Sequence, residues 1–237
     1  MNEIIIIIGF NLLISLGAVY NLKLTATKRI LHASTASRVH EMLKMRFFDI
    51  LIASIFLIIA CPFFIILSIL IWTSGSKPFF KHKRVGLNGK EFYCLKFTSM
   101  KGLNEIEEAE QERVIFELDH FGKVNNDPRV TKIGNFIRKT SIDETPQFFN
   151  VLKGDMSLIG PRPITKAEMK IYGTKIKSYL SVKPGITGLW QISGRSNTTY
   201  SRRVAIDHYY ALKRTRRMKI MIMMKTVYVV LFMKGAQ

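Results

Sequence analysis

Apolar residues are concentrated in three blocks of the chain, and the charges around each block predict a different relation to a membrane. The first block, residues 4–22, contains no charged side chain. At about 1.5 Å per residue, a helix of this length just crosses a hydrocarbon core of about 30 Å. Basic residues follow the block, so the positive-inside rule places its C-terminal end in the cytoplasm. The alternative is a helix that lies at the membrane surface or packs against a partner.

The second block, residues 47–72, carries Asp49 as its only charge. Basic residues flank both of its ends, so both ends are expected on the cytoplasmic side. Cys61 and Pro62 lie near its centre, and a proline inside a helix removes a backbone donor and clashes with the preceding turn. Each half is then too short to cross a bilayer, and the sequence predicts a re-entrant helix broken at Cys61 and Pro62. An ordinary span kinked by proline is the alternative.

The third block, residues 218–233, is shorter and carries Lys219 and Lys225 among methionine, isoleucine, valine and phenylalanine. Basic residues beside apolar ones are typical of a helix that lies in the plane of the lipid headgroups. A core helix of the soluble domain is the alternative.

Between the second and third blocks, the mixed composition indicates a soluble domain. Apolar residues in 78–85 and 91–97 surround a glycine-containing turn and predict a β-hairpin. The acidic segment 106–119 is expected to be helical. Asp127 and Pro128 then form a helix-start signature, a capping acid followed by a proline.

An acidic pair follows, inside the dense tract 140–163. Ser141 and Glu144 have the spacing of a capping box, which predicts a helix that begins at Ser141. On that interpretation Glu144 is only a cap. Asp143 would lie in the first helical turn near Arg138, where it should stay ionised, as a nucleophile or a metal ligand requires.

After this helix, Gly154 and Asp155 lead into a short apolar stretch. Pro161 and Pro163 then fix the backbone on both sides of Arg162. A guanidinium presented in this way suits bidentate contact with a phosphate. The alternative is an ordinary surface turn.

A glycine-rich loop, residues 184–188, leads to Trp190 and Gln191, and Arg195 lies in the next turn. Glycines let backbone N–H groups approach an anion, which Arg195 could hold. The chain has neither a phosphate-binding glycine motif of the nucleotide-binding folds nor histidines at metal-ligand spacing.

Composition agrees with a membrane-associated protein. The 36 Lys and Arg against 17 Asp and Glu give a net charge of +19, which indicates a polyanionic partner. Because 48% of the residues are hydrophobic and cluster in blocks, anionic lipid is favoured over nucleic acid. Two cysteines, Cys61 and Cys94, imply no disulfide framework.

Together these strings resemble the bacterial sugar transferases of the monotopic polyprenyl-phosphate phosphoglycosyl transferase superfamily, over about residues 44–237. The matching strings, in order, are Arg84-Val85-Gly86, the strand with Lys96, Asp127-Pro128-Arg129, Asp143-Glu144, Pro161-Arg162-Pro163 and Pro184-Gly185-Ile186-Thr187-Gly188. The family has a re-entrant helix broken at a proline, which matches Pro62, although a serine usually precedes it where this chain has Cys61.

The resemblance implies a fold and a division of the chain. The fold is α+β, a mainly helical membrane-associated domain with a re-entrant membrane helix, interfacial amphipathic helices and a small β-hairpin. Residues 1–43 form the N-terminal hydrophobic segment and a basic linker, 44–76 the re-entrant helix and 77–237 the cytoplasmic catalytic domain with the C-terminal interfacial helix.

The resemblance also implies a reaction. A sugar-1-phosphate would move from a UDP-sugar to undecaprenyl phosphate, with release of UMP, as the initiating step of polysaccharide or glycoconjugate assembly. Asp143 would be the nucleophile that forms a covalent phosphosugar intermediate, Glu144 its partner, and both carboxylates would hold Mg²⁺. Substrate contacts are assigned to Lys96, Arg138, Asp155, Pro161, Arg162, Pro163, Gln191 and Arg195.

The implied setting is the cytoplasmic face of the bacterial inner membrane. The partners would be the UDP-sugar, undecaprenyl phosphate and membrane lipids, without nucleic acid, and a homodimer is left open. Two positions depart from the family: Thr98 and Ser99 replace an Arg-Thr string, and Thr145 replaces a leucine. The departure at Thr98 and Ser99 supports the alternative of a non-catalytic membrane scaffold on the same fold.

Overall fold

The computed structural model describes residues 40, 42–121, 124–194 and 198–231. The predicted first span, residues 4–22, and Arg195 lie outside these ranges. The chain divides into two units, Met1–Phe48 and Asp49–Gln237, and the architecture described below is that of the second unit. The fold is mainly helical with a small β-hairpin, as the sequence predicts.

A long apolar helix, α1, extends over Met42–Thr73, and in the described part of the chain it alone is long and apolar enough to cross a membrane. The mean hydropathy of its most apolar window is 3.1. The helix continues through Cys61 and Pro62, and both residues are exposed. The re-entrant course of this helix stays a prediction.

One side of α1 packs against the rest of the second unit. Ala53 lies in a core cluster with Phe92, Cys94, Val151 and Met156. Further along the helix, a second cluster consists of Phe64, Leu67, Ile71, Phe97 and Ile137. The other side carries exposed apolar residues, such as Ile58, which is 74% exposed. Helix α1 therefore completes the protein core on one side and presents an apolar surface on the other.

Asp49, the one charge in this apolar block, ties α1 to the soluble part. Its Oδ2 accepts a hydrogen bond of 2.8 Å from the Ser157 hydroxyl. Its Oδ1 accepts a bond of 3.2 Å from the Leu158 backbone N–H. The carboxylate is thus satisfied by a neighbouring strand, as an acid in an apolar setting requires.

The β-hairpin forms where the sequence predicts it. Strand β1, Phe79–Val85, pairs antiparallel with β2, Glu91–Phe97. The connection contains Asn88 and Gly89, which both have positive φ. The acidic segment is the helix α2, Glu108–Phe121.

The next helix, α3, covers Lys132–Lys139 and does not use the predicted cap. The Thr131 hydroxyl oxygen accepts from the Gly134 N–H at 2.8 Å and caps this helix. Asp127 instead accepts a bond of 2.6 Å from the Arg129 guanidinium. The predicted helix-start role of Asp127 and Pro128 is wrong, because a threonine nearer the helix takes the capping position.

The predicted capping box of Ser141 and Glu144 is also wrong. Ser141 has φ 59° and makes no capping bond, and Ile142–Glu144 form a single 3₁₀ turn. Helix α4, Gln147–Lys153, begins only after Pro146 and ends at Gly154, whose φ of 95° suits a glycine. Glu144 is not available as a cap because its carboxylate faces Lys96.

A second, parallel sheet consists of β3, Ser157–Ile159, and β4, Gly185–Thr187. A Cβ atom on Gly185 would lie 2.0 Å from the Gly160 nitrogen, so the two segments can approach only as glycines. The Gly185 N–H donates to the Pro161 carbonyl at 2.8 Å. Within the glycine-rich loop, the N–H of Gly185 is therefore already engaged and is not available to an anion, and anion binding by the rest of the loop stays a prediction.

Four helices complete the second unit. They are α5, Met169–Tyr172, α6, Ile176–Leu180, α7, Tyr200–Lys213, and α8, Arg216–Leu231. On α8, Ile222 is fully buried and the Thr226 hydroxyl is 2.7 Å from that of Thr187 on β4. Other apolar side chains of α8 are exposed, among them Met224. The third apolar block is thus a helix that packs on the domain, and its contact with a membrane surface stays a prediction.

Candidate functional site

Three charged groups from two separate segments meet at one end of the hairpin. The Lys96 ammonium donates a hydrogen bond of 2.7 Å to Glu144 Oε1. The same Nζ lies 3.6 Å from Asp143 Oδ2. Because side chains alternate along a strand, Lys96 shares its face of β2 with Cys94 and Phe92. Strand β2 therefore aims Lys96 at the acidic pair.

The acidic pair is held by the 3₁₀ turn and by packing. Ile142 packs against the core cluster of Phe64 and Ile137, which fixes the start of the turn. The Thr145 hydroxyl donates to the Ile142 carbonyl at 2.7 Å, a bond that the usual leucine could not make. Asp143 is nine-tenths buried, whereas the Glu144 side chain keeps 27% of its area exposed.

Arg162 approaches the pair from the turn between its two prolines. Its Nη1 lies 3.8 Å from Glu144 Oε1. The Arg162 carbonyl accepts a 3.0 Å bond from the Tyr179 hydroxyl, and the Pro163 carbonyl accepts a 3.2 Å bond from Arg84. Pro161 and Pro163 are buried, so the alternative of an ordinary surface turn is wrong.

These groups line a narrow cleft, with a cavity volume of about 10 Å³. Its lining residues are Arg84, Cys94, Lys96, Glu144, Gln147, Arg162, Pro163, Gly185, Ile186 and Gln191. The structure thus brings Lys96, Glu144, Arg162, Pro163 and Gln191 together, with Asp143 beside them. Their roles toward a substrate remain predictions.

Other predicted site residues lie elsewhere. Arg138 is exposed at the end of α3, and its positive charge acts to lower the pKa of Asp143. Asp155 follows α4 and lies 3.2 Å from Lys153 Nζ, and it does not line the cleft. Pro161 is buried behind Arg162, and Arg195 is outside the described residues. Because Asp155 follows directly after Gly154, its carboxylate pairs with Lys153, the last residue of α4.

Arg84 also lines the cleft. In the sequence it stands out only as part of the family string Arg84-Val85-Gly86, and no role is predicted there for its side chain. Its Nη1 donates at 3.2 Å both to the Pro163 carbonyl and to Glu168 Oε2. In the hairpin register Arg84 lies opposite Phe92, and Phe80 lies opposite Lys96. Because Phe92 and Lys96 lie on the same face of β2, Arg84 and Lys96 share that face of the hairpin. The period of two residues in the predicted hairpin could have revealed this arrangement.

The two carboxylates differ in acidity. Burial raises the pKa of Asp143 to about 6, and the charge of Glu144 adds to this, while Lys96 and Arg138 oppose it. Burial also acts to raise the pKa of Glu144, but the charges of Lys96 and Arg162 and the bond to Lys96 outweigh it. The pKa of Glu144 is therefore lowered to about 2. At pH 7 Asp143 is still mainly ionised, as predicted, but burial makes it the weaker acid of the pair.

The thiol in the cleft is not a competing nucleophile. Burial raises the pKa of Cys94 to about 11, which keeps the thiol protonated and unreactive at neutral pH. The neutral thiol therefore leaves the carboxylates of Asp143 and Glu144 as the anionic groups at the site.

The acidic pair is also chemically suited to Mg²⁺. This ion is usually held by one or two carboxylates together with substrate phosphates and waters. Within the described ranges no cluster of three or more metal-ligating side chains occurs, so a cage made only of protein ligands is absent there. Asp143 and Glu144 fit a site in which one or two carboxylates hold the ion together with phosphates and waters. Glu144 also accepts the hydrogen bond from Lys96.

Thr98 and Ser99, which depart from the family string, lie just beyond β2 and do not line the cleft. The Thr98 N–H donates to the Pro78 carbonyl at 2.9 Å, and the Ser99 carbonyl accepts from Thr131 at 3.2 Å. These contacts are made by the backbone, so they do not depend on which side chains occupy the two positions.

Comparison with known proteins agrees with the geometry of the site. The sequence profile of the bacterial sugar transferases matches residues 39–233. The chain is 46% identical over 208 residues to an undecaprenyl-phosphate galactose phosphotransferase of Salmonella typhimurium, covering 85% of this chain and 43% of that protein. It is 36% identical over 207 residues to a UDP-glucose:undecaprenyl-phosphate glucose-1-phosphate transferase of Escherichia coli, covering 85% and 42%.

A shorter relative is covered almost completely. The exopolysaccharide production protein ExoY of Rhizobium meliloti is 38% identical over 198 residues, which cover 81% of this chain and 87% of that protein. The chain therefore spans less than half the length of the two transferases above, but most of the length of this relative. On the extent of these matches, the chain belongs to the bacterial sugar transferase family.

Proposed function

We propose that the chain is a phosphoglycosyl transferase that moves a sugar-1-phosphate from a UDP-sugar to undecaprenyl phosphate. This would be the initiating step of polysaccharide or glycoconjugate assembly. The observation that carries the proposal is the buried carboxylate of Asp143 beside the ion pair of Lys96 and Glu144. The names of the relatives, which specify undecaprenyl-phosphate sugar phosphotransferases, support it.

In the first half-reaction, an Asp143 carboxylate oxygen attacks the phosphorus of the UDP-sugar that carries the sugar. The bond from this phosphorus to UMP breaks, and UMP leaves with the electron pair. No proton needs to move, because both the nucleophile and the leaving phosphate are anions. A buried carboxylate whose pKa is raised to about 6 is a better nucleophile than a solvated one and is still ionised at pH 7.

In the second half-reaction, a phosphate oxygen of undecaprenyl phosphate attacks the same phosphorus. The bond to Asp143 breaks, which frees the carboxylate and yields the lipid-linked sugar diphosphate. Lys96 and Arg162 neutralise the phosphate charge that accumulates in both steps, which is the main catalytic demand of phosphoryl transfer. Mg²⁺ bound by Asp143 and Glu144 would supply further neutralisation of the phosphates.

A covalent intermediate makes the first half-reaction independent of the lipid. We therefore expect the wild-type chain to incorporate labelled UMP into UDP-sugar when no undecaprenyl phosphate is present. The measurement is chromatographic separation of labelled UMP from labelled UDP-sugar. Exchange that occurs only after acceptor is added would contradict the covalent route and favour direct transfer. A chain that shows neither exchange nor transfer with a panel of UDP-sugars would favour the non-catalytic scaffold.

We also propose that α1 is a re-entrant helix at the inner membrane, with the catalytic domain on the cytoplasmic face. Ala53 and Ile71 lie on either side of Pro62, and both are buried in core clusters of the same unit. A helix that packs on a soluble domain along this length, about 27 Å, has little length left to cross the bilayer. The exposed apolar side around Ile58 would face lipid.

The course of α1 has its own test. We expect single cysteines placed at Lys44 and at Lys77, in a background without Cys61 and Cys94, to react from the cytoplasmic side only. The readout is labelling by a membrane-impermeant maleimide in intact and opened cells. A cysteine at Asp119, which is exposed on α2, marks the cytoplasmic side as a control. Labelling of the two flanks from opposite sides would mean a full span.

A further inference from the structure

A second cationic group lies next to Arg162, outside the residues discussed so far. Arg203 is in the first turns of α7, and its guanidinium carbon lies 4.3 Å from the centre of the Trp190 ring. It lies 5.0 Å from the centre of the Tyr200 ring. The Arg162 guanidinium lies over the same Trp190 ring, at 5.9 Å. Trp190 therefore connects Arg203 to the arginine that faces Glu144.

Polar atoms without hydrogen-bond partners surround this contact. Trp190 is only 6% exposed, and its Nε1 is buried without a partner among the described residues. The same is true of Arg203 Nε and of Gln191 Oε1, and Gln191 lines the cleft. A buried donor that is left unpaired costs about 1–3 kcal/mol. Two of the three atoms, Trp190 Nε1 and Arg203 Nε, are donors that a ligand with acceptor oxygens would satisfy, whereas Gln191 Oε1 is an acceptor.

We infer that Arg203 and Trp190 form a phosphate subsite beside Arg162, for a substrate phosphate next to the phosphorus that Asp143 attacks. This inference rests on the proposed function. Both unpaired nitrogens are N–H groups, and neither Trp Nε1 nor a guanidinium can accept a hydrogen bond, so the ligand must offer acceptor oxygens. The guanidinium adds a positive charge, which selects an anion, and its planar fork matches phosphate.

Aromatic stacking prepares the guanidinium for this role. A guanidinium that stacks on aromatic rings keeps its N–H groups at the edge of the plane, where they can donate to an anion. The rings also restrict the arginine side chain, so less conformational entropy is lost when a phosphate binds. Two sources offer the same chemistry: the UMP portion of the donor and the phosphate of the lipid acceptor.

A purely structural role for Arg203 is the competing explanation. Asp207, one turn further along α7, is buried and accepts a 2.8 Å bond from the Tyr172 hydroxyl. Burial raises the pKa of Asp207 to about 7, and the charges of Arg203 and Arg162 oppose this rise. If Arg203 served only as a counter-charge, its replacement would lower stability and would leave phosphate recognition unchanged.

The decisive experiment compares Arg203→Gln with Arg202→Gln in the full-length chain in detergent micelles. Arg202 is the exposed neighbour on the same helix, so both variants lose one positive charge. Titration calorimetry measures the affinity for UMP and for uridine, and steady-state assays give the KM for undecaprenyl phosphate.

If the phosphate is on the donor side, Arg203→Gln should weaken UMP binding about 10- to 100-fold and leave uridine binding unchanged. If it is on the acceptor side, the KM for undecaprenyl phosphate should rise by a similar factor. Both parameters within twofold of wild type would overturn the inference.

Trp190→Phe provides a second variant that keeps an aromatic ring beside Arg203 and removes the Nε1 donor together with part of the indole volume. If this donor binds phosphate, the affinity for UMP or the KM for the lipid should weaken about fivefold or more. The lost volume lowers the melting temperature whether or not the donor binds phosphate, so the melting temperature does not decide the question. Values within twofold of wild type would contradict a phosphate-binding role of Nε1. The calorimetric binding of UMP does not need Asp143 to react, whereas the KM for the lipid does. Failure of the UMP exchange would therefore count against the proposed function and leave the subsite testable.

Discussion

Replacing Asp143 with asparagine should abolish transfer of labelled sugar phosphate into organic-extractable lipid, with a loss of at least about 10⁴-fold in turnover. Asparagine has nearly the same shape, so Lys96 keeps its bond to Glu144 and the cleft keeps its form. The amide cannot form the covalent bond to phosphorus, and UMP exchange should be lost together with transfer. The matched control is Asp119→Asn, the same change at an exposed position on α2. Turnover of Asp143→Asn within tenfold of wild type would exclude the nucleophile role.

The same substitution should stabilise the protein. The pKa of Asp143 is raised from an ordinary value of 3.8 to about 6, so the folded state binds this proton more tightly than the unfolded state. Stability from this group is fully present below about pH 4 and is lost as pH rises through 6, at a cost of up to about 3 kcal/mol. Asparagine carries no charge, so Asp143→Asn should melt at a higher temperature at pH 7 and lose this advantage near pH 4. A variant that is both inactive and less stable at pH 7 would indicate a structural role instead.

Replacing Lys96 with methionine should lower turnover at pH 7 by about 10²- to 10³-fold. The ammonium is the cation nearest to both carboxylates, and it lowers the pKa values of Asp143 and Glu144. Without it both pKa values rise, so more of Asp143 is protonated at neutral pH. The acid limb of the pH–rate profile, expected near pH 6 in the wild type, should therefore move to higher pH. Part of the lost activity should return as the pH is raised.

Lys83→Met is the matched control for this prediction. Lys83 lies on the partner strand of the same hairpin and pairs with Glu91 at 2.6 Å, but its side chain is 59% exposed. An exposed pair of this kind contributes little to stability, and it is remote from the acidic pair. The control should keep the wild-type pH–rate profile. An unshifted acid limb in Lys96→Met would show that Lys96 does not set the acidity of the nucleophile.

Local patterns predicted the hairpin, because strand alternation is encoded by neighbouring residues, whereas the role of Lys96 at the site came from the family resemblance. They failed at Ser141 and Glu144, where the capping-box spacing is present but the Glu144 carboxylate is engaged by Lys96. That contact joins residues 48 positions apart, and no local rule anticipates it. At Asp127, two residues with capping ability compete, and the one adjacent to the helix, Thr131, takes the position.

The supporting residues of the site were not predictable from local sequence. Arg84 reaches Pro163 across 79 positions, and the Tyr179 hydroxyl reaches the Arg162 carbonyl across 17. From the sequence of α7, Arg203 would be taken for a charge on the solvent-exposed face of the helix. Its position over the Trp190 ring is visible only in the structure. The close backbone approach that requires glycine at positions 160 and 185 also joins distant segments, so local sequence did not predict it.

The packing of α1 has a consequence for how the enzyme is made. Its buried residues supply part of two core clusters. Ala53 belongs to the cluster that Val151 and Met156 complete later in the sequence. Leu67 and Ile71 belong to the cluster that Phe97 and Ile137 complete. A version trimmed to begin after Thr73 would expose the remaining halves of these clusters to water and would aggregate rather than yield a soluble catalyst. During synthesis α1 emerges before the hairpin and α3, so its apolar surface stays uncovered until they arrive. If α1 takes the proposed course in the membrane, the bilayer shelters this surface in the meantime, and folding of the domain is then coupled to membrane insertion.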